Sequence, residues 1–192
     1  TNADLLVAAS LANASKGRVG LDIGSKLAVT AARQYSSGKK AAMDRVEDER
    51  GTWLDLDLPP GGIPRQPLHW PVAFPEAFID GGFDAIIGNP PFLGGKKVSG
   101  ALGSCYRAFL VQAVAGGVRG NADLIAYFLL RVHQLIKSSG QAGIIATSTI
   151  AEGETREVGL DRVTEDGVTI RRASRSQPWP AQGDSSAQPR RD

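Results

Sequence analysis

Cysteine is nearly absent from this chain. Cys105 is the single one in 192 residues, so no internal disulfide can form, and a reducing, cytoplasmic setting fits. Histidine is as scarce. His69 and His133 are the only two, which leaves no Cys/His spacing for a metal ion. The net charge of +2 is too small to argue for a nucleic-acid partner by itself. No apolar run reaches the roughly 20 residues that span a bilayer, and no basic-then-apolar signal segment opens the chain. No internal repeat is visible. The length suits one domain with a real core and is short for two large ones. The chain opens at Thr1, not at a methionine, inside a helix-forming stretch, and this raises the expectation of a fragment of a larger protein.

What is present falls into three zones. Residues 3–14 read as an amphipathic helix with Leu5, Leu6, Ala9 and Ala12 on one face and Gly17 as its stop. Residues 25–50 hold further helical pieces broken at Ser36-Ser37-Gly38, and the mixed-charge run Asp44 to Arg50 reads as a solvated face. Gly20-Leu21-Asp22-Ile23-Gly24 reads as a loop between helices. Leu54, Leu56 and Leu58 alternate with aspartates as in a weak strand. The prolines from Pro59 to Pro75 then exclude regular helix and predict an extended strap, pinned by the aromatic residues Trp70 and Phe74.

The third zone is better patterned. Phe83 to Gly88 is an apolar run of buried-strand character that stops at Asn89-Pro90-Pro91. A glycine-rich loop, 93–103, follows with Lys96 and Lys97. A helix from Tyr106 to Ala115 comes next, and then a longer one capped near Asn121 and running to about Lys137. Tyr127 and Phe128 fall in its apolar stripe, and His133 at its margin. Ser138-Ser139-Gly140 ends it, and Ala142 to Thr147 is a second strand. This order is half of a doubly wound α/β sheet, with the long helix as a right-handed crossover. Gly153 to Arg156 reads as a polar loop, Val158 to Thr164 as a short helix and Gly167 to Ser174 as a further strand. The basic tail after Ser176 reads as disordered.

Ligands of open α/β sheets bind at the carboxyl ends of the strands, and Asn89 to Phe92 occupies such an end. An exocyclic amino group such as adenine N6 is a poor nucleophile because its lone pair is delocalised into the ring. It is activated by two acceptors that draw its hydrogens and push the nitrogen toward tetrahedral geometry. The Asn89 carboxamide oxygen and the Pro90 carbonyl suit those roles, since proline fixes φ and presents no competing N–H. A base flipped out of a duplex needs a stacking surface, which Phe92 supplies. Asn and Pro also terminate strands without any such role. The preceding strand, the following glycine loop and the crossover favour the chemical reading. Lys96 and Lys97 are candidates for phosphate contact. Asp84 is the one candidate on the cofactor side. Thr147, Thr149 and Glu152 are expected near the same sheet edge, and Cys105 is expected to be buried, not reactive.

Asn89-Pro90-Pro91-Phe92 resembles the motif of amino-methylating methyltransferases. The wider run is more specific: His69-Trp70-Pro71, Phe74-Pro75-Glu76 and Gly81 to Gly95. With Ala122-Asp123-Leu124, Tyr127-Phe128, Ala146-Thr147 and Thr155 to Gly159, it is similar to the adenine-specific DNA methylases of type IIG restriction–modification and related phage-defence systems. The similarity covers roughly residues 66–180. It implies a partial Rossmann-like α/β fold, S-adenosylmethionine as donor, double-stranded DNA with a flipped adenine as substrate, and Asn89, Pro90, Pro91 and Phe92 as the catalytic corner. No metal and no membrane are implied. No strand, glycine turn and helix in order precede residue 83, so the cofactor-binding half is missing from the pattern. The expected division is a helical segment 1–58, a catalytic half 59–175 and a disordered tail 176–192, working with the remainder of a larger methylase chain. The same corner also serves N-methylation of RNA guanine or protein glutamine, and an inactive remnant is the third alternative.

Overall fold

The computed structural model describes residues 2–175; the expected tail 176–192 lies outside them. Helices α1 (Asn2–Asn13), α2 (Gly17–Ser36) and α3 (Lys40–Leu54) come first. A short turn, Ala14–Lys16, joins the first two, and Gly17 takes φ +69° where the chain reverses. Gly17 thus ends one helix and begins the next. The stretch Gly20 to Gly24 is not a loop: it lies inside α2. A Cβ at Gly20 or Gly24 would run into the backbone of Asn13 or Ala9 on α1. Each glycine costs a helix about 1 kcal/mol against alanine, and here the close approach of two helices offsets that cost. Leu5, Ala9, Ala28, Ala31 and Val46 form the core of this bundle, whereas Leu6 is exposed.

Leu54, Leu56 and Leu58 do not form a strand. Leu54 closes α3, the Asp55 N–H bonds the Gly51 carbonyl at 3.0 Å, and Asp57 turns the chain at φ +60°. The strap that follows is irregular to residue 69, but then forms two one-turn helices, α4 (Trp70–Ala73) and α5 (Pro75–Ile79). Each carries a proline in its first turn, where no N–H is needed. The exclusion of helix by proline fails only there. The strap is held by its rings. Phe83 meets Trp70, Phe74 and Phe78 edge-on at centroid distances of 5.6, 5.7 and 5.5 Å, and Trp70 stacks on Phe74 at 5.7 Å. His69 ties the strap to α1 through Asp4, with Nε2 to Oδ1 at 2.8 Å.

β1 (Phe83–Gly88) and β2 (Ile136–Ile144) pair in parallel, and among the described residues the sheet has these two strands. Between them run α6 (Gly95–Leu102), α7 (Ser104–Phe109) with its extension Leu110–Val114, and α8 (Leu124–Leu135). The mixed helix and strand order with a parallel pair agrees with the α/β expectation. The glycine loop 93–103 is largely helix, because Gly95 tolerates close approach and Val98 is buried. Asp123, not Asn121, caps α8.

The bounds of the second strand also shift. The chain passes from Leu135 straight into the ladder. Phe83 faces Ile136, Ala85 faces Gln141, and Lys137 to Gly140 bulge out between. The strand ends at Ile144 because Asn89 and Pro90 have ended its partner; the last bond runs from the Ile145 N–H to the Gly88 carbonyl at 3.0 Å. Nor is β1 a buried strand. With no third strand against it among the described residues, Ile87 is 88% exposed.

After β2, the residues expected as a polar loop form α9 (Gly153–Thr155), which continues through Arg156–Asp161 into α10 (Arg162–Glu165). The strand expected over Gly167 to Ser174 is absent. Gly167 at φ +92° and the Val168 N–H, bonded to the Val163 carbonyl at 3.0 Å, close the helix and turn the chain aside. Val98, Leu110, Val111, Leu124, Tyr127, Leu130, Val158 and Val163, all from the helical segments between and after the two strands in chain order, form the second core. Phe128 is not in it and is exposed.

Candidate active site

β1 delivers its last residues to a corner that the backbone fixes. Asn89 and Pro91 are exposed, Pro90 is buried between them, and Phe92 is 48% exposed. The buried Pro90 ring locks φ at the turn, while the amide before it and the aromatic ring after it face solvent. No protein hydrogen bond engages the Asn89 side chain among the described residues, so its carboxamide is free to accept from a ligand.

Leu93, immediately after the corner, is gripped at both backbone groups. Its N–H donates to Asp123 Oδ1 at 3.3 Å, and its carbonyl accepts from the Leu124 N–H at 3.0 Å. A Cβ at Gly95 would overlap the Asn121 carbonyl and crowd the Ala122 carbonyl, so α6 starts directly against the turn that begins α8. That turn has its own supports. Arg107 donates to the Gly120 carbonyl at 3.1 Å and to Asn121 Oδ1 at 2.9 Å, and the Asn121 N–H donates to Glu154 Oε2 at 2.9 Å. The Asp123 N–H donates to the buried Thr155 Oγ1 at 3.0 Å. Gly159 packs on Ala126, where a Cβ would clash. These contacts give the Asp123 and Thr155-to-Gly159 segments their place beside the corner. In the sequence Asp123 is part of a helix-start signal and the Thr155-to-Gly159 run is marked by resemblance, whereas the supporting roles of Arg107 and Glu154 are not legible there because their partners lie in other elements.

Lys96 and Lys97 occupy the first turn of α6, exposed and without an ion-pair partner among the described residues. They lie on the same continuous segment as the corner. Thr147 and Thr149 follow β2, their hydroxyls 2.6 Å apart, and Glu152 lies just beyond them in an exposed position. Asp84 is not brought to the corner. It sits near the opposite end of β1, about 16 Å along the strand at 3.3 Å per residue, and pairs with Lys137 Nζ at 2.9 Å. That hydrogen bond and charge hold its carboxyl below the ordinary aspartate range, and they raise the Lys137 ammonium in turn. Cys105 is half-buried, not buried as expected; that partial burial pushes its thiol up, with Asp57 adding to the effect. Tyr127 is buried in the core and its phenol is likewise raised. His133 pairs with Asp166 at 2.6 Å on the surface.

The chain before β1 is a helical bundle and a proline strap, with no strand leading into a glycine turn and helix. Among the described residues no His, Cys, Asp and Glu cluster has metal-binding geometry, and no helix is long and apolar enough to cross a membrane. The family described as Eco57I restriction-modification methylase matches residues 59–164, more than half of the chain. Neither a curated protein nor a solved structure matches it.

Proposed function

The chain belongs to the Eco57I restriction-modification methylase family, and from that membership we propose that it is the target-holding half of an adenine-specific DNA methyltransferase of type IIG character. The observation that carries this reading is the corner: a solvent-facing Asn89 with no protein partner, a buried Pro90 that sets the backbone, and an open Phe92 ring. A flipped adenine stacks on Phe92. The Asn89 carboxamide oxygen and the Pro90 carbonyl accept the two hydrogens of the N6 amino group and localise its lone pair for attack. Lys96 and Lys97 contact phosphates beside the flipped base.

S-adenosylmethionine supplies the methyl group. Because residues 59–175 present only the target side, with 1–58 as helical support, the donor is held by further methylase polypeptide, in a Rossmann-like sheet that β1 and β2 help complete. A DNA substrate places the protein in the cytoplasm.

The test is transfer of labelled methyl from S-adenosylmethionine by the complete methylase, its donor-binding polypeptide included, with DNA, RNA and protein offered together. Label is expected in DNA, as N6-methyladenine. Asn89→Ala is expected to lower the rate by about 100-fold or more, as for loss of a positioned transition-state partner, with unchanged folding. Full activity of Asn89→Ala, or label in RNA or protein instead, refutes the reading. Calorimetric titration of the 192-residue chain with S-adenosylmethionine is expected to show no binding. Micromolar affinity would place the donor site within it.

A further inference from the structure

Asp123 does more than cap a helix. It is 6% exposed, and its Oδ1 accepts two backbone N–H groups, from Ile125 at 3.1 Å and from Leu93 at 3.3 Å. The Ile125 bond is the whole requirement of an N-cap. The Leu93 bond comes from thirty positions earlier in the chain, from the residue that follows Phe92. The Leu124 N–H closes the grip on the Leu93 carbonyl at 3.0 Å. The first turn of α8 therefore holds the outgoing end of the corner at both polar groups. The buried Thr155 Oγ1, accepting from the Asp123 N–H at 3.0 Å, holds that turn from a segment that follows β2 in the chain.

We infer that Asp123 is a positioning residue for the corner: through Leu93 its carboxylate fixes the peptide plane that follows Phe92, and with it the backbone from which the Phe92 ring projects, and Thr155 sets Asp123. The consequence for methyl transfer rests on the function proposed above; the tether itself does not. β1 holds the corner from one side, through the Gly88 carbonyl and the ladder, and the Asp123 tether holds it from the other. Phe92, unlike the two prolines before it, has no ring to fix its φ, so a corner held at one end only would leave its backbone free to swing the aromatic ring away.

Side-chain length separates the tether from the cap. Asp123→Ser retains a good N-cap oxygen, but is one bond too short to reach a Leu93 N–H that is already 3.3 Å away. Asp123→Asn presents an oxygen at the position of Oδ1 and keeps both bonds. Amide exchange of the free protein reads the tether directly. In Asp123→Ser, the Leu93 amide is expected to exchange about tenfold faster or more, as for a lost bond to a charged acceptor. Ile125 exchange is expected to stay near wild type, and the melting temperature to fall by about 2–4 °C for the one lost bond. Asp123→Asn is expected to match wild type at both amides, and Asp123→Ala to lose both and melt lower. In methyl transfer by the complete methylase, Asp123→Ser is expected to lose kcat about tenfold at an unchanged KM for S-adenosylmethionine, and Asp123→Asn to restore it. The inference is overturned if Asp123→Ser leaves both the Leu93 exchange and kcat at wild-type values. Asn89→Ala is run beside them. If it transfers methyl groups as well as wild type, the functional reading fails, and the exchange measurement still decides the tether.

Discussion

Gly95→Ala sets two effects of opposite sign against each other. Gly95 opens α6, and by helix propensity alone an alanine there stabilises by about 0.5–1 kcal/mol. Packing says the reverse. The new Cβ would overlap the Asn121 carbonyl and press on the Ala122 carbonyl. Both obstacles are backbone, so no side chain can swing aside. Relief requires α6 and the start of α8 to move apart, at about 1–3 kcal/mol for overpacking. The movement also stretches the two bonds between Leu93 and the α8 turn, at about 1 kcal/mol each. The net expectation is a loss of about 2–4 kcal/mol, a large fraction of the roughly 5–15 kcal/mol that holds a domain together. Gly100→Ala is the internal control. It lies in the same helix with nothing within 4 Å of its would-be Cβ, so only the propensity term operates and a gain of up to about 1 kcal/mol is expected. Urea titration of the three proteins, with the slope monitored for a change of unfolded state, measures both. If Gly95→Ala and Gly100→Ala shift the midpoint in the same direction, close contact at the corner does not govern Gly95.

Other expectations follow from neighbouring contacts. Phe83→Ala removes the ring against which Trp70, Phe74 and Phe78 all pack; for a half-buried ring a loss of about 2–3 kcal/mol is expected, with faster proteolysis of the strap before β1, and equal protease resistance would contradict the pinning. Phe92→Ala is expected to weaken binding of duplexes carrying a mismatched target adenine by about 5–150-fold, from roughly 1–3 kcal/mol of stacking, while Phe92→Trp retains it; equal affinities would remove the stacking role. Asp84 should titrate below the ordinary aspartate range in a carbon-detected NMR experiment, because Lys137 stabilises its charged form. A carboxyl depressed in the folded state contributes stability above its unfolded pKa and loses it as pH falls through the folded value. Lys137→Met should therefore bring the midpoint back up and flatten stability across that acidic window, and an unmoved midpoint would show that the pair is not formed.

Much of the site could be read from residue order, because its causes are local. An apolar run that meets Asn-Pro-Pro must stop, and it stops at Gly88. Apolar residues at helical spacing made α8 legible, and with α8 the crossover and the parallel pairing. The strap was legible in part: its prolines exclude a long helix, although α4 and α5 use prolines at their starts. What failed depended on partners distant in the chain. Gly20 and Gly24 looked like loop residues because the surface that needs their missing side chains, α1, is invisible to a local pattern. Ser138-Ser139-Gly140 looked like a helix stop, but the register between Phe83 and Ile136 makes it a bulge. The strand over Gly167 to Ser174 had alternation but no neighbour to pair with, and a helix cap sends the chain elsewhere.

By itself, the order of residues determined where β1 ends, that an amide, two prolines and an aromatic ring follow it, and that a helix returns the chain to a parallel strand. These depend on φ restriction, missing N–H donors and apolar periodicity, which act within a few residues. Only the tertiary structure decided how that corner is held: Leu93 on Asp123, Asp123 on Thr155, Gly95 against Asn121, Phe83 among three rings. Each of these joins residues from separate elements by a directional bond or a backbone contact, and no spacing along the chain encodes it.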